Sequence, residues 1–172
     1  MSTLRPWGET PPKHDPRTTI SFQFWQLQML WRRKVESALE AHDLTLMQYH
    51  LLAGVDFLSH DGVPVNQVSL STFLGSAPAM TSQVLKILTT VKKHVARRTL
   101  KGDSRAKIVK LTPLGAVKLR KGKEIIEQIN KDVFGVLQAA QVDFQQCITY
   151  LTSTIAAHED TNVSQAIPPE TS

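Results

Sequence analysis

The sequence predicts a mainly α-helical protein with one small β-hairpin, an α+β arrangement in which strands are the minor part. A helical period runs through SAPAMTSQVLKILTTVKKH, which starts at Ser76. The apolar residues of this segment recur at three- and four-residue steps and are Met80, Val84, Ile87, Leu88 and Val91. Two alternating runs, VARRTL and KIVKLT, then flank the charged stretch KGDSRA, which is typical of a β-hairpin with a basic turn.

A second helix is predicted immediately before Ser76. Asn66 is a favourable N-cap, and Gly75 can take the left-handed conformation that ends a helix. Ser76 is expected to cap the following helix, with Pro78 in its first turn. Helix, tight turn, helix and hairpin are the parts of a winged helix-turn-helix, in which the second helix enters the DNA major groove.

Helices are also predicted on both sides of this segment. The first contains an apolar stripe made of Ile20, Phe24, Leu27, Trp31, Val35 and Ala38. The next starts at Thr45, with Gln48 at capping-box spacing. After the hairpin, Thr112 and Pro113 are expected to start a long helix whose apolar pattern continues to Leu137. A last helix carries Val142, Phe144, Ile148, Leu151 and Ile155.

These patterns divide the chain into regions. We expect a flexible arm at 1–17, a winged helix-turn-helix lobe at 45–112, a helical dimerisation region at 18–44 and 113–157, and a disordered tail at 158–172. The flanking helices carry more apolar surface than one small lobe can cover, which predicts a two-fold homodimer. Such a dimer offers its two reading helices to successive major grooves, about 34 Å apart, on a pseudo-palindromic site.

Composition favours a polyanionic partner. The 172 residues carry a net charge of +5, and basic side chains cluster around the predicted hairpin. A charge run is also typical of a solvated surface, so this cluster gains its meaning from the helix and hairpin around it. The single cysteine rules out an internal disulfide, and the sequence has neither a membrane-length apolar run nor a secretion signal. A cytoplasmic location is therefore expected.

Three stretches carry a family resemblance. VARRTLKGDSRAKIVKLTPLG resembles the wing of the MarR (multiple antibiotic resistance regulator) family of winged-helix transcription factors, and its most specific part is the turn DSRA at 103–106. LTLMQYHLLAGVDFL and PVNQVSLSTFLG resemble the second helix of that family and the first helix of its helix-turn-helix. The chain departs from the family pattern at Ser104, where most members have an arginine, and at Lys92, Lys93 and His94, where a glycine usually precedes the first wing strand.

The resemblance implies a sequence-specific regulator of transcription that binds double-stranded DNA, commonly a ligand-responsive repressor. The residues placed to meet the major groove are Ser76, Pro78, Ala79, Thr81, Ser82, Gln83 and Lys86. Gln83 can make two hydrogen bonds to an adenine edge, whereas the hydroxyls of Thr81 and Ser82 can instead bond back to their own helix. In the wing, Arg105 is expected in the minor groove, Asp103 beside it, and Arg98, Lys101 and Lys107 on phosphates.

The resemblance also implies a small, often aromatic, anionic effector. The candidates for its binding are Trp25, Trp31, Arg32 and Arg33 on the first helix and Tyr49, His50 and Phe57 on the second. An aromatic stripe at helical spacing more often belongs to the core than to a pocket, so both interpretations stay open. No metal is expected, because no Cys or His lies at zinc-like spacing from His50. Cys147, among apolar residues, is expected to be a buried and inert thiol.

Two other classes of function were weighed. An enzyme is not expected, since the sequence has no Ser-His-Asp arrangement, glycine-rich phosphate loop or paired-carboxylate motif, and no cofactor is implied. The stronger alternative is a winged-helix module that binds a protein, such as an antirepressor or a co-regulator with lost or weakened DNA binding. Ser104 in place of the usual arginine, together with the N-terminal arm, keeps this alternative open. The two differ in salt dependence, because DNA binding falls steeply as salt rises.

Overall fold

Six α-helices and a two-stranded hairpin form the part of the chain that the structure describes. The computed structural model describes residues 15–60, 64–100 and 103–165, except for the side chains of 99–107 and 159–165. The elements are α1 (Ile20–Glu40), α2 (Leu46–His60), α3 (Gln67–Leu74), α4 (Pro78–Lys86), β1 (Val95–Leu100), β2 (Asp103–Leu111), α5 (Pro113–Phe134) and α6 (Ala140–Gln165). Single turns of 3-10 helix lie at Pro16–Thr18 and Gly135–Leu137, and a π-helical turn at Ile87–Val91 extends α4.

The predicted fold class is confirmed. β1 and β2 pair antiparallel, with Val95 opposite Leu111 and Arg98 opposite Ile108. The hairpin is joined to the helices by a hydrogen bond of 2.7 Å from the amide of Val109 to the carbonyl of Val65. Helices α3 and α4 with this hairpin form a winged helix-turn-helix.

Most of the predicted helix ends are also confirmed. Thr45 and Gln48 cap each other's backbone amides at 3.3 and 3.2 Å. Asn66 caps α3, and Gly75 ends it with φ +56°. The hydroxyl of Thr112 accepts from the amide of Gly115 at 3.0 Å, and α5 starts at the next residue, Pro113.

The start and the buried face of α4 differ from the prediction. The N-cap is Ala77, without a side-chain hydrogen bond, and not Ser76. Of the predicted stripe, Leu88 is buried and Val84 packs against the core, whereas Met80 and Val91 are 52% and 71% exposed. Thr81 and Leu85 are fully buried instead. The prediction was wrong at Met80 because the buried position next to it is Thr81, a polar residue that an apolarity pattern cannot recognise.

The core of the first compact unit, which ends at Ile129, gathers side chains from α1 to α5. Its fully buried centre consists of Val35, Leu39, Leu51, Leu52, Val55, Leu70, Leu85 and Leu88. Only the second half of α1 takes part, since Ile20 and Phe24 are exposed at 85% and 61%. Gly122 lies so close to α2 that a Cβ there would come within 2.7 Å of the Tyr49 ring. This glycine serves packing, and α5 continues through it.

The second compact unit starts at Asn130. The helical pattern predicted to reach Leu137 ends earlier, because α5 stops at Phe134 and a 3-10 turn follows. Phe134 and Phe144 pack with ring centroids 6.0 Å apart. Helix α6 continues to Gln165, so residues 158–165 of the predicted disordered tail are helical. Residues 166–172, and residues 1–14 of the predicted arm, lie outside the described residues.

Candidate nucleic-acid interface

The outer face of α4 carries most of the predicted reading residues. Pro78, Ala79, Gln83 and Lys86 are exposed, and Ser82 is half-buried. Ala79, Gln83 and Lys86 follow each other at four- and three-residue steps, so they form one stripe along the helix. An amide, a methyl group and an ammonium group on one stripe are groups that can contact base edges and phosphate.

Thr81 is not on this face, which corrects the prediction that it meets the groove. Its side chain is fully buried, and its hydroxyl lies 3.2 Å from the Ser71 hydroxyl and 2.8 Å from that of Ser76. The polar side chain is tolerated there because it has hydrogen-bond partners. Thr81 therefore belongs to the packing between α3 and α4.

The beginning of α4 suits an anion through its backbone. Ala77 supplies no side-chain cap, and Pro78, the first helical residue, has no N–H. The next amides point out of the helix start, where the helix dipole favours negative charge such as a phosphate. Ser76 is half-buried, and its hydroxyl is bonded to Thr81.

The strand register determines which basic wing residues share a face. Paired residues point to the same side of a hairpin, so Arg98 and Lys110 lie on one face and Arg97 on the other. The face that includes Val95 and Val109 is the buried one. Arg98 and Lys110 are exposed and form the outer face of the wing, away from the core.

The wing turn is shorter than predicted. Asp103 and Arg105, which the sequence assigned to the turn, lie on β2, which begins at Asp103. Lys101 is outside the described residues. The backbone of Lys107 lies opposite Thr99, but the side chains of both residues, like those of Asp103 and Arg105, are outside the description. Their DNA contacts remain predictions.

The wing root, residues 92–94, has the unusual backbone that the missing glycine suggested. Lys93 adopts φ +56°, the left-handed conformation that glycine takes most easily. Its carbonyl accepts a hydrogen bond of 2.8 Å from the Thr112 hydroxyl. The carbonyl of His94 accepts from the Thr112 amide at 3.0 Å. A Cβ at Gly115 would lie 1.9 Å from that same carbonyl oxygen, so only glycine fits there.

Charged groups from distant parts of the chain surround the wing root. Lys92 pairs with the carboxylate of Asp43, and this hydrogen bond lowers the pKa of Asp43. Lys118 donates to the carbonyl of His42 at 2.7 Å. The His94 side chain is 2% exposed, and its Nδ1 atom has no hydrogen-bond partner. Burial lowers the pKa of His94, and Lys118 and Lys92 lower it further, so the imidazole is neutral at neutral pH.

A cavity of about 800 Å³ lies between α2, α3 and α5. The lining residues are Tyr49, Ala53, Asp56, Phe57, His60, Phe73, Ala116, Leu119, Arg120 and Lys123. The rings of Phe57 and Phe73 stack with centroids 5.4 Å apart. Burial raises the pKa of Tyr49, so its hydroxyl stays protonated. Aromatic rings together with two cations suit a flat anionic molecule of small size.

Of the predicted effector residues, Tyr49 and Phe57 line this cavity, and Arg33 does not. Trp25 is 55% exposed on α1, and Arg32 is bound to Glu36 at 2.8 Å on the same helix. Trp31 packs against the core. His50 is half-buried with its ring 5.4 Å from that of Tyr49, and burial lowers its pKa. The other cavity residues come from three helices. Those on α2 follow helical spacing, whereas no local spacing in the sequence could have grouped them with Phe73, Arg120 and Lys123.

Three further expectations concern chemistry outside this interface. Cys147 is exposed, which corrects the prediction of a buried thiol, because α6 leaves most of its apolar stripe exposed as well. Within the described ranges, no three His, Cys, Asp or Glu side chains are grouped so as to hold a metal ion. Among the described helices, none is long and apolar enough to cross a bilayer.

Comparison with known proteins gives one clear sequence relative. No family model matches the chain. The HTH-type transcriptional regulator YdcH of Bacillus subtilis (strain 168) is 32% identical over 119 residues, which cover 69% of this chain and 80% of YdcH.

Solved structures share the fold at lower identity. MepR of S. aureus, in a complex with DNA, is 23% identical with a TM-score of 0.68, covering 81% of this chain and 98% of MepR. BpsR of Bordetella bronchiseptica, whose DNA binding is regulated by 6-hydroxynicotinic acid, is 20% identical with a TM-score of 0.67, covering 83% of this chain and 96% of BpsR. Rv2887 of Mycobacterium tuberculosis, in a complex with salicylic acid, is 21% identical with a TM-score of 0.60. The match covers 77% of this chain and 96% of Rv2887.

Proposed function

The chain belongs to the MarR family of helix-turn-helix, DNA-binding transcriptional regulators, and on that premise we propose that it is a homodimeric, ligand-responsive repressor of a pseudo-palindromic operator. The observation that carries the proposal is the exposed stripe of Ala79, Gln83 and Lys86 on α4, the second helix of the helix-turn-helix. In this arrangement α4 lies in the major groove, and each chain of the dimer contributes one such helix.

Base recognition is assigned to the stripe. Gln83 reads an adenine through its amide, Ala79 contacts a thymine methyl group, and Lys86 binds a phosphate or a guanine edge one turn later. Ser82 lies beside Gln83 and is half-buried, and Pro78 is exposed at the start of the helix. Met80, which is 52% exposed although the apolar pattern predicted it on the buried face, adds a second apolar contact.

Backbone contacts are assigned to the wing. Arg98 and Lys110, on the outer face of the hairpin, bind phosphates together with Lys101 and Lys107. Arg105 enters the minor groove near the hairpin tip, where a narrow groove attracts a guanidinium group, and Asp103 orients it. The position of Arg105 on β2, two residues from the start of the strand, supports this assignment.

Dimer formation is supported by apolar side chains that each compact unit leaves in solvent. On α1 these include Ile20, Phe24, Trp25, Met29 and Leu30, and on α6 they include Val142, Ile148, Leu151 and Ile155. Each such side chain left in water forgoes about 1.5–3 kcal/mol of transfer free energy, which favours burial between two copies. Light scattering at micromolar concentration should return twice the chain mass, and a monomer mass would contradict the proposal.

The effector is assigned to the cavity between α2, α3 and α5. An aromatic acid can stack on Phe57 and Phe73 while Arg120 and Lys123 bind its carboxylate. The salicylic acid bound by Rv2887 and the 6-hydroxynicotinic acid that regulates BpsR are molecules of this class. Phe73 is on α3, so a ligand held against its ring is placed to alter the position of α4.

The DNA-binding part of the proposal is tested with the promoter fragment upstream of the coding sequence. Fluorescence anisotropy should give a dissociation constant that rises steeply with salt. Gln83→Ala should weaken binding by about tenfold or more, since one bidentate base contact contributes about 1–3 kcal/mol. Gln23→Ala, which removes an exposed glutamine from α1, is the matched control and should bind as wild type.

Two further results would separate the proposal from its alternatives. Arg105→Ala should lower the slope of log K against log salt by about one, with Arg33→Ala as the control that removes a distant arginine. Salicylate should weaken DNA binding by wild type but not by Arg120→Gln. A protein that binds no duplex more tightly than mixed-sequence DNA would instead support the winged-helix protein-interaction module.

A further inference from the structure

We propose that Thr81 is a positioning residue for DNA reading, because its hydroxyl links those of Ser76 and Ser71 in a hydrogen-bonded ring that closes on the Ser76 carbonyl and fixes α4 against α3. The inference rests on the proposed function, since α4 is the helix assigned there to the major groove. The hydroxyl ring consists of Ser71 on α3, Ser76 in the turn and Thr81 on α4.

The direction of each hydrogen bond in the hydroxyl ring follows from counting protons. Ser71 Oγ lies 2.9 Å from the carbonyl oxygen of Ser76, which can only accept, so Ser71 donates its one proton there. Ser71 must then accept from Thr81 at 3.2 Å. The proton of Thr81 is thereby used, so Ser76 donates to Thr81 at 2.8 Å. Each hydroxyl donates once and accepts at most once.

Because the hydroxyl ring is buried, the loss of one of its hydrogen bonds is costly. Thr81 is fully buried and Ser71 is 7% exposed, so water cannot readily replace a lost partner. The same turn is closed by backbone bonds from Ser76 N to Ser71 O at 3.1 Å and from Gly75 N to Thr72 O at 3.2 Å. The start of α4 is therefore fixed to α3 through both its backbone and its side chains.

The hydroxyl ring also sets the rotation of α4 about its axis. Successive helical residues are about 100° apart, so Gln83 projects about 200° from Thr81. With Thr81 held inward against Ser71, Gln83 points to solvent, where it is exposed. A loss of the inward anchor lets the helix rotate or tilt by a small angle, which displaces the Gln83 amide from a base edge.

The assignment of protons changes the role of Ser76. Its only hydroxyl proton is directed to Thr81, and a phosphate group offers only acceptors. While the hydroxyl ring is closed, the Ser76 side chain cannot donate to the DNA backbone. Ser76, predicted from the sequence as a DNA contact, is thus a second member of the positioning device.

The test compares Thr81→Val, which keeps the side-chain shape and removes the hydroxyl, with two other variants. Thr81→Ser keeps the hydroxyl. Thr90→Val makes the same change at an exposed threonine of the π-helical turn, whose hydroxyl bonds to the Lys86 carbonyl at 2.7 Å. The probes are the duplex that wild type enriches most from a random-sequence pool, for specific binding, and poly(dI-dC), for nonspecific binding.

Thr81→Val should bind the enriched duplex about tenfold more weakly than wild type and bind poly(dI-dC) equally well. Thr81→Ser should recover most of the specific affinity, and Thr90→Val should match wild type. Equal specific affinity of Thr81→Val and wild type would overturn the inference, as would a parallel loss on both probes, which indicates general destabilisation. If Thr81→Val does not fold, Ser71→Ala replaces it in the same two binding measurements, because it removes another hydroxyl of the ring.

The outcome also separates this inference from the function beneath it. A wild-type protein that enriches no duplex overturns the proposed function and the inference together. A wild-type protein that enriches a duplex, alongside a Thr81→Val variant that binds it equally, overturns the positioning role alone.

Discussion

The two turns that flank α4 solve the same backbone problem with different residues. Gly75 leads into the helix and Lys93 leads out of it towards β1, and both adopt φ +56°. Glycine takes this conformation with little strain, whereas an L-residue with a Cβ does so at a cost of about 1–2 kcal/mol. At Gly75 the residue type itself therefore favours the left-handed conformation, whereas at Lys93 the surrounding structure must hold the backbone in it.

The surroundings of the two turns differ in the same way. The first turn is satisfied by residues within the short segment 67–81, including the hydroxyl ring. The wing root depends on Asp43 and Thr112, which are far away in sequence, and it leaves the Nδ1 atom of His94 without a partner. The reading helix is thus positioned locally at its start, while the wing that follows it is held by tertiary contacts.

The largest expected effect concerns the tertiary contacts at the wing root. Gly115→Ala places a Cβ 1.9 Å from the His94 carbonyl oxygen, and backbone must move to relieve the clash. We expect unfolding free energy to fall by about 3 kcal/mol or more, measured by denaturant titration. Gly135→Ala is the matched control, since nothing lies within 4 Å of its Cβ. A loss under about 1 kcal/mol for Gly115→Ala would mean that α5 is not pinned to the wing root.

The second effect tests the local turn. Gly75→Ala meets no atom within 4 Å, so its whole cost is the left-handed backbone. Unfolding free energy should fall by about 0.5–1 kcal/mol, measured by the same titration, because the strain of about 1–2 kcal/mol is partly offset by the smaller freedom of alanine in the unfolded chain. An unchanged midpoint would show that the turn can be closed without a left-handed residue at this position.

The third effect has the opposite sign. Lys93→Gly relieves the strain of φ +56° but gives the unfolded chain more freedom, so a net gain of about 0.5–1 kcal/mol in unfolding free energy is expected. Lys93→Ala removes the same lysine side chain, keeps the Cβ and should give no such gain. If the alanine variant is as stable as the glycine variant, the lysine side chain and not the backbone is the source of strain.

The smallest effect is a dependence of folding stability on pH that arises from His94. The pKa of His94 is lowered in the folded protein, chiefly by burial, so the unfolded state binds a proton first as pH falls below about 6.5. Stability should therefore decrease on acidification through this range until the folded pKa is reached. Melting temperatures of His94→Leu should depend less on pH than those of wild type. Some slope should persist, because burial also lowers the pKa of His50.

The local turn was largely predictable, and the tertiary one was not. Asn66, Gly75, Thr112 and Pro113 act on neighbours within a few residues, so their types and spacing were enough to predict the helix ends. For the wing root, the sequence showed only that residues 92–94 lack the glycine that usually precedes the first wing strand. The wing root's partner Asp43 is 49 residues from Lys92, and its partner Thr112 is 19 residues from Lys93, so no local pattern joins them.

The candidate interface shows the same division. The outward positions of Gln83 and Lys86 followed from helical periodicity and are exposed in the structure. Thr81 did not follow, because a hydroxyl at that position is compatible with either face until its partners on α3 are known. The cavity residues were missed for a similar reason, since Phe73, Arg120 and Lys123 meet only after α3 and α5 have packed.

The exposed position of Cys147 provides a direct chemical handle on self-association. It is the single cysteine of the chain, so a maleimide fluorophore attaches at one site without prior mutagenesis. Its neighbours Ile148 and Leu151 are exposed apolar residues on the same helix. Alkylation should slow as protein concentration rises if this stretch of α6 is occluded by a second copy, and the half-saturation of that protection reads out the dissociation constant between subunits.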